Sequence, residues 1–230
     1  MSGSITIGNG MRILLRRSAR ARRMVLRVPR DGGEAVLTLP RRTPESEGRA
    51  FAESRADWLA EAAARVPGAR LAVAGAAFPV EGRMLALTPA PVRMARIEGR
   101  ALLLPQARPA GPVVQGFLKC LAQQRLGAAC DRHAAALGRP FRMIALRDTK
   151  SRWGSCSADG RLMFSWRLAM APPAVLDYVA AHEVAHLAHM DHSPRFWAAV
   201  EALMPGHAPH RAWLRRHGAD LMAWKFTTGA

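Results

Sequence analysis

His182-Glu183-Val184-Ala185-His186 sets two imidazoles four residues apart, with a carboxylate between them. On a helix both rings leave one face, about one turn or roughly 6 Å apart, so both reach a single metal ion. Glu183 lies about 100° round the axis and faces a water beside that ion from the side. This H-E-x-x-H spacing serves peptide hydrolysis: zinc lowers the pKa of a water and polarises the scissile carbonyl, and the glutamate takes the proton. Four of the chain's eight histidines, His182, His186, His189 and His192, crowd into this stretch.

A catalytic zinc usually keeps three protein ligands and one position for water. On an unbroken helix His189 shares the face of His182 and His186, but it sits about 10 Å along the axis from His182. That closes a tetrahedron poorly at Zn–N distances near 2 Å. His192 lies beyond the expected helix end and can return from another side. The spacing therefore favours His192 as the third ligand, with His189 a neighbouring polar group. Two competing readings are a pair of helix histidines with no metal, and a structural zinc. The latter is usually closed by four ligands rich in cysteine. Cys120, Cys130 and Cys156 all lie away from the motif in sequence.

Other elements must hold these groups. Pro172-Pro173 suits the start of the motif helix, which the pattern carries from Ala174 to about His189. Asp191-His192-Ser193-Pro194 predicts a break, with Ser193 as N-cap of a helix to Met204 that buries Phe196, Trp197, Val200 and Leu203. A last helix is expected from Pro209 to about His217, ended by Gly218. His207, His210 and His217 read as surface groups, and the tail from Met222 as loosely packed. Before the motif, Arg142–Arg147 and Arg161–Leu168 read as strands, the latter entered through the hairpin turn Ala158-Asp159-Gly160. Arg152-Trp-Gly-Ser-Cys-Ser157 admits two readings: a cleft edge that pairs with an extended substrate, or a tight turn with Cys156 buried. Tyr178, one turn before His182, either steadies an oxyanion or packs below the metal; packing is the simpler role.

Upstream, residues 5–40 alternate as strands around the basic stretch Arg16–Arg23 and the turn Asp31-Gly32-Gly33, a pattern expected of a small meander. One helix should follow from Thr43-Pro44 to about Arg65, with Phe51, Trp58, Leu59 and Ala62 facing a core. Short strands fill residues 70–105. A long helix from about Val113 ends at Gly138. No internal repeat is visible. The expected organisation is a β-rich lobe with one helix over residues 1–108 and a catalytic core over 109–230.

The chain has 230 residues, half of them hydrophobic, enough for a sizeable core. It has no apolar run long enough to span a membrane and no secretory pattern at its start. With three cysteines outside any metal-ligand spacing, it reads as cytoplasmic with reduced thiols. The net charge is +17, from 34 basic residues of which only Lys119, Lys150 and Lys225 are lysines. Such a charge is the footprint of a nucleic-acid or other polyanion surface, or of an arginine-biased composition with no acidic partner. A nucleic-acid-binding module with a secondary or inactive metal site is thus the alternative to an enzyme.

Arg152-Trp-Gly-Ser-Cys-Ser, Trp166-Arg-Leu, Ala171-Pro, Asp177-Tyr178-Val, His182-Glu-Val-Ala-His-Leu, His192-Ser-x-x-Phe-Trp197, Met204-Pro and Trp213-Leu-Arg together resemble the YgjP-like bacterial metallopeptidases, relatives of the SprT-like and WLM zinc proteases. The likeness is dense over residues 142–218 and loose before them. It implies a Zn2+ site of His182, His186 and His192 with Glu183 as base, a protein or peptide substrate, and an α+β zincin-like core behind a β-hairpin. Some of those relatives act on proteins attached to DNA, so enzyme and nucleic-acid binding can coexist. Val184 stands where leucine is more usual. His189 replaces the glycine of the metzincins, which match less well.

Overall fold

The computed structural model describes residues 3–29 and 33–227, so the Asp31-Gly32 turn lies outside the described residues. The chain mixes helices with several small sheets, an α+β architecture, and divides into two compact units, residues 1–69 and 70–230.

In the first unit, β1 (Gly3–Thr6), β2 (Arg12–Ser18), β3 (Val25–Arg27) and β4 (Ala35–Pro40) form a sheet of order β1-β2-β4-β3. It is not the expected meander, because β2 and β4 pair in parallel, with Ile13 beside Ala35 and Leu15 beside Leu37. That register puts the apolar residues of both longer strands on one buried face. β3 is short, with Val25 and Arg27 exposed, and suits the edge. Two helices, α1 (Glu45–Glu53) and α2 (Ala56–Ala64), stand where one was expected. The break falls at Ser54-Arg55, where the Ser54 hydroxyl donates to the carbonyl of Phe51 at 2.9 Å and competes with the helical pattern. Leu59 is fully buried, but Trp58 is 48% exposed and leaves the predicted core stripe.

The second unit opens with β5 (Arg70–Leu71), then β6 (Ala77–Val80), β7 (Arg83–Ala90), β8 (Arg96–Glu98) and β9 (Ala101–Pro105). The last four form a sheet of order β6-β7-β9-β8, with β7 parallel to β9 and the outer pairs antiparallel. The first unit's sheet has the same order and sense, a repetition of topology that the sequence hides. Helix α3 (Ala110–Leu137) follows and ends at Gly138, whose φ of 68° is the left-handed cap. Phe78, Leu87, Leu102 and Leu104 share one apolar cluster with α3 and the motif helix. Residues 70–105 thus lie in the same compact unit as α3 and the motif helix.

Next come β10 (Met143–Arg147), β11 (Gly154–Cys156) and β12 (Arg161–Ser165), in the order β10-β12-β11. β11 and β12 form the expected hairpin, and Gly160 takes φ 79° in its turn. A buried 3-10 turn, Trp166–Met170, leads to α4 (Pro173–Ala185), α5 (Pro194–Leu203) and α6 (Ala208–Met222). α6 runs past Gly218. That glycine sits inside the helix because a Cβ there would lie 3.0 Å from the Trp153 ring. As far as residue 227 the tail is not loose: β13 (Trp224–Lys225) pairs with β5, and Trp224 and Phe226 are buried against Phe78 and Trp166. Arg167 secures it. Its guanidinium donates to both oxygens of Asp148 and to the carbonyls of Leu221 and Trp224. Among the described residues no helix is long and apolar enough to cross a membrane.

Candidate metal centre

Helix α4 starts with Pro173 at its first turn and is buried along most of its length. Asp177 ties it to α3, accepting from His133 Nε2 at 2.9 Å and Arg132 Nη2 at 2.8 Å. His133 lowers the Asp177 pKa most, then Arg132, against the cost of burial. α4 ends at Ala185, earlier than expected, so His186 already caps it. The chain then turns and reaches Ser193, whose hydroxyl accepts from the amide of Phe196 and caps α5, with Pro194 in the first turn.

The break brings His192 back onto α4. His182, His186 and His192 each offer a ring nitrogen, and these atoms lie within 4.8 Å of one another. His192 Nε2 is 3.2 Å from His182 Nε2. A tetrahedral zinc with Zn–N near 2.0–2.1 Å holds its ligand atoms about 3.3 Å apart, so this pair already has the required spacing. His189 does not join them by its ring. Its backbone carbonyl accepts from His186 Nδ1 at 2.9 Å, leaving His186 Nε2 as the free lone pair. Burial, with the neighbouring His186 and His192, pushes the His182 pKa down to about 3, and burial also lowers that of His186. The His182 ring is thus neutral near pH 7, the form that binds a metal, and burial favours the same form of His186. Three clustered imidazoles fit a borderline-soft divalent cation.

Glu183 is buried beside this cluster. Burial raises its pKa to about 8, opposed by the Arg152 guanidinium. Gly154, on edge strand β11, makes its space: a Cβ at that position would lie 2.5 Å from Glu183 Cγ and Oε1. Trp153 in turn packs on Gly218. The Arg152–Ser157 segment therefore shapes the pocket of the carboxylate, whatever else its edge does. Burial raises Cys156 to about 11 and Cys130 to about 12, so neither thiol is poised as a nucleophile.

Sequence reasoning missed two groups. His207 is not a surface residue: its side chain is 12% exposed and stacks on Tyr178 and on Trp197, with centroids 5.6 and 5.7 Å away. Its Nδ1 donates to Glu201 Oε2 at 2.8 Å, while Glu201 Oε1 accepts from the amide of Gly206 at 2.9 Å. Arg211 lies over the Trp197 ring at 4.5 Å, and that ring lies 5.7 Å from His182 and 6.0 Å from His192. No spacing signals either residue, since each reaches the site through the packing of α5 and α6 on α4. Tyr178 is buried and packs beside His182 and His207, as expected.

No match is found among curated proteins. The crystal structure of the metallopeptidase zymogen abylysin of Pyrococcus abyssi is 21% identical, at a TM-score of 0.36, over 39% of this chain and 93% of that one. Residues 22–217 match the family described as YgjP-like, metallopeptidase domain. That match covers most of the chain, including the three histidines and Glu183, and the protein belongs to the YgjP-like metallopeptidase family.

Proposed function

We propose that this metallopeptidase hydrolyses peptide bonds with a zinc ion held by His182, His186 and His192, in a zincin-like core, and with Glu183 as general base. The observation that carries the reading is the convergence of three imidazole nitrogens within 4.8 Å of one another, beside a buried carboxylate. Zinc bound there supplies Lewis acidity, lowering the pKa of water and polarising the peptide carbonyl. The protein does the rest. The His189 carbonyl fixes the tautomer of His186. Gly154 leaves room for the Glu183 carboxylate beside the edge strand, where it would take a proton from the attacking water and return it to the leaving amine nitrogen. Among the described residues no strand pairs with the outer side of β11, where an extended peptide can pair.

The test is metal analysis and peptide cleavage by the parent and Glu183→Gln proteins. The variant should keep one zinc per chain and lose about 10²–10⁴-fold in kcat. Cleavage at the parent rate would remove Glu183 from the mechanism, and a parent that binds no stoichiometric metal would remove the site.

A further inference from the structure

The cation beside the metal centre is unspent. Arg211 lies on the first turns of α6 and is exposed to solvent. Its guanidinium stacks on Trp197, and the same ring contacts His182 and His192. Among the described residues no carboxylate pairs with it. Glu201, the acid of the neighbouring turn, is already committed on both oxygens, to Gly206 and His207. A stacked guanidinium keeps its in-plane donors directed outward, where they match a carboxylate in bidentate fashion. The ring fixes that fork without neutralising it and lowers the rotamer entropy lost when it pairs.

We infer that Arg211, seated on Trp197, is a specificity-determining residue that binds a carboxylate of the substrate close to the scissile bond. The inference rests on the peptidase reading of the site and names the substrate class it prefers: peptides that carry an acidic group beside the cleavage point. That group is a Glu or Asp side chain, or the terminal carboxylate of a short product-like peptide. The chain has other exposed arginines that serve as surface cations for comparison. Arg100, exposed on the turn between β8 and β9, is one.

The experiment measures binding, so it does not depend on turnover. Zinc-loaded Glu183→Gln protein is titrated with fluorescein-labelled peptides of otherwise neutral sequence. One set differs only by Glu or Gln at a single position, and the other only by a free or amidated C-terminus. The acidic member of at least one set should bind about tenfold more tightly at low salt. The set that responds identifies the side chain or the terminus as the source. Adding Arg211→Ala should abolish the preference with zinc content unchanged. Arg211→Glu should reverse it toward a Lys peptide, and Arg100→Ala should leave it intact. The inference is overturned if neither set shows a preference, if the preference survives Arg211→Ala, or if Arg100→Ala weakens it equally. Cleavage by the parent protein, measured in parallel, judges the peptidase reading separately: an inactive parent whose Arg211-dependent preference persists refutes the activity and not the carboxylate site.

Discussion

Gly154→Ala tests how the edge strand and the Glu183 carboxylate share space. The added Cβ would lie 2.5 Å from Glu183 Cγ and Oε1 and 2.7 Å from Cδ. Ordinary contacts between heavy atoms are about 3.5–4.0 Å, so either the carboxylate or the strand must give by about 1 Å. Overpacking of this kind costs roughly 1–3 kcal/mol. For a domain of this size that is about 2–12 °C in Tm. The chemical cost should be larger. A catalytic group displaced by about 1 Å loses on the order of 10²-fold in rate, because proton transfer requires hydrogen-bond distance to the attacking water. The atoms nearest the new methyl all belong to Glu183, so zinc content should remain at one per chain. The assay combines zinc stoichiometry, thermal melting and kcat on a model peptide. Glu183→Gln supplies the control, since glutamine has the same shape. In that background Gly154→Ala should cost the same stability and remove little further activity. Turnover within twofold of the parent would refute the steric argument, and so would an equal loss of activity in both backgrounds.

Three further outcomes follow from the same geometry. His192→Ala should empty the metal site, while His189→Ala should retain zinc, since it keeps the backbone carbonyl that holds His186; metal analysis of the two proteins decides between them. Arg167→Met removes a buried cation bonded to Asp148, Leu221 and Trp224. It should cost about 3–5 kcal/mol and expose the tail beyond Met222 to limited proteolysis; an unchanged cleavage pattern would show that the tail is held without it. Asp177 has its carboxyl held below the usual range, chiefly by His133, so its stabilisation is present above about pH 4 and is lost as pH falls through its lowered folded-state value. Asp177→Asn should therefore lower stability by about 1–2 kcal/mol near pH 7, and the difference in Tm should narrow below pH 4; a gap independent of pH would assign the loss to packing.

Local chemistry was legible wherever one stretch of chain carries it. The four-residue spacing of His182 and His186 places two rings on one face by helical geometry alone. Ser193-Pro194 marks the start of α5, Gly138 the end of α3, and Asp159-Gly160 the hairpin, because caps and turns are decided by the few residues that form them. His192 was favoured over His189 by the same reasoning, and the clustered ring nitrogens include His192 and not His189.

What depends on distant residues had to come from the tertiary structure. The parallel pairing of β2 with β4 unites two strands about twenty residues apart, and no local pattern distinguishes it from a meander. Trp224 and Phe226 look like a free tail until β5, Phe78 and Arg167 are brought to them. His207 looks like a surface histidine until α6 stacks it on Tyr178 and Trp197. Gly154 reads in the sequence as part of a cleft edge or a tight turn, and is a space for Glu183 only once β11 lies against α4. The sequence by itself determined that a metal could be bound and by which helix, since adjacent side chains on one helix face need no other part of the fold. Tertiary packing decided what surrounds that metal, since burial, stacking and an unspent charge are properties of surfaces brought together from different elements.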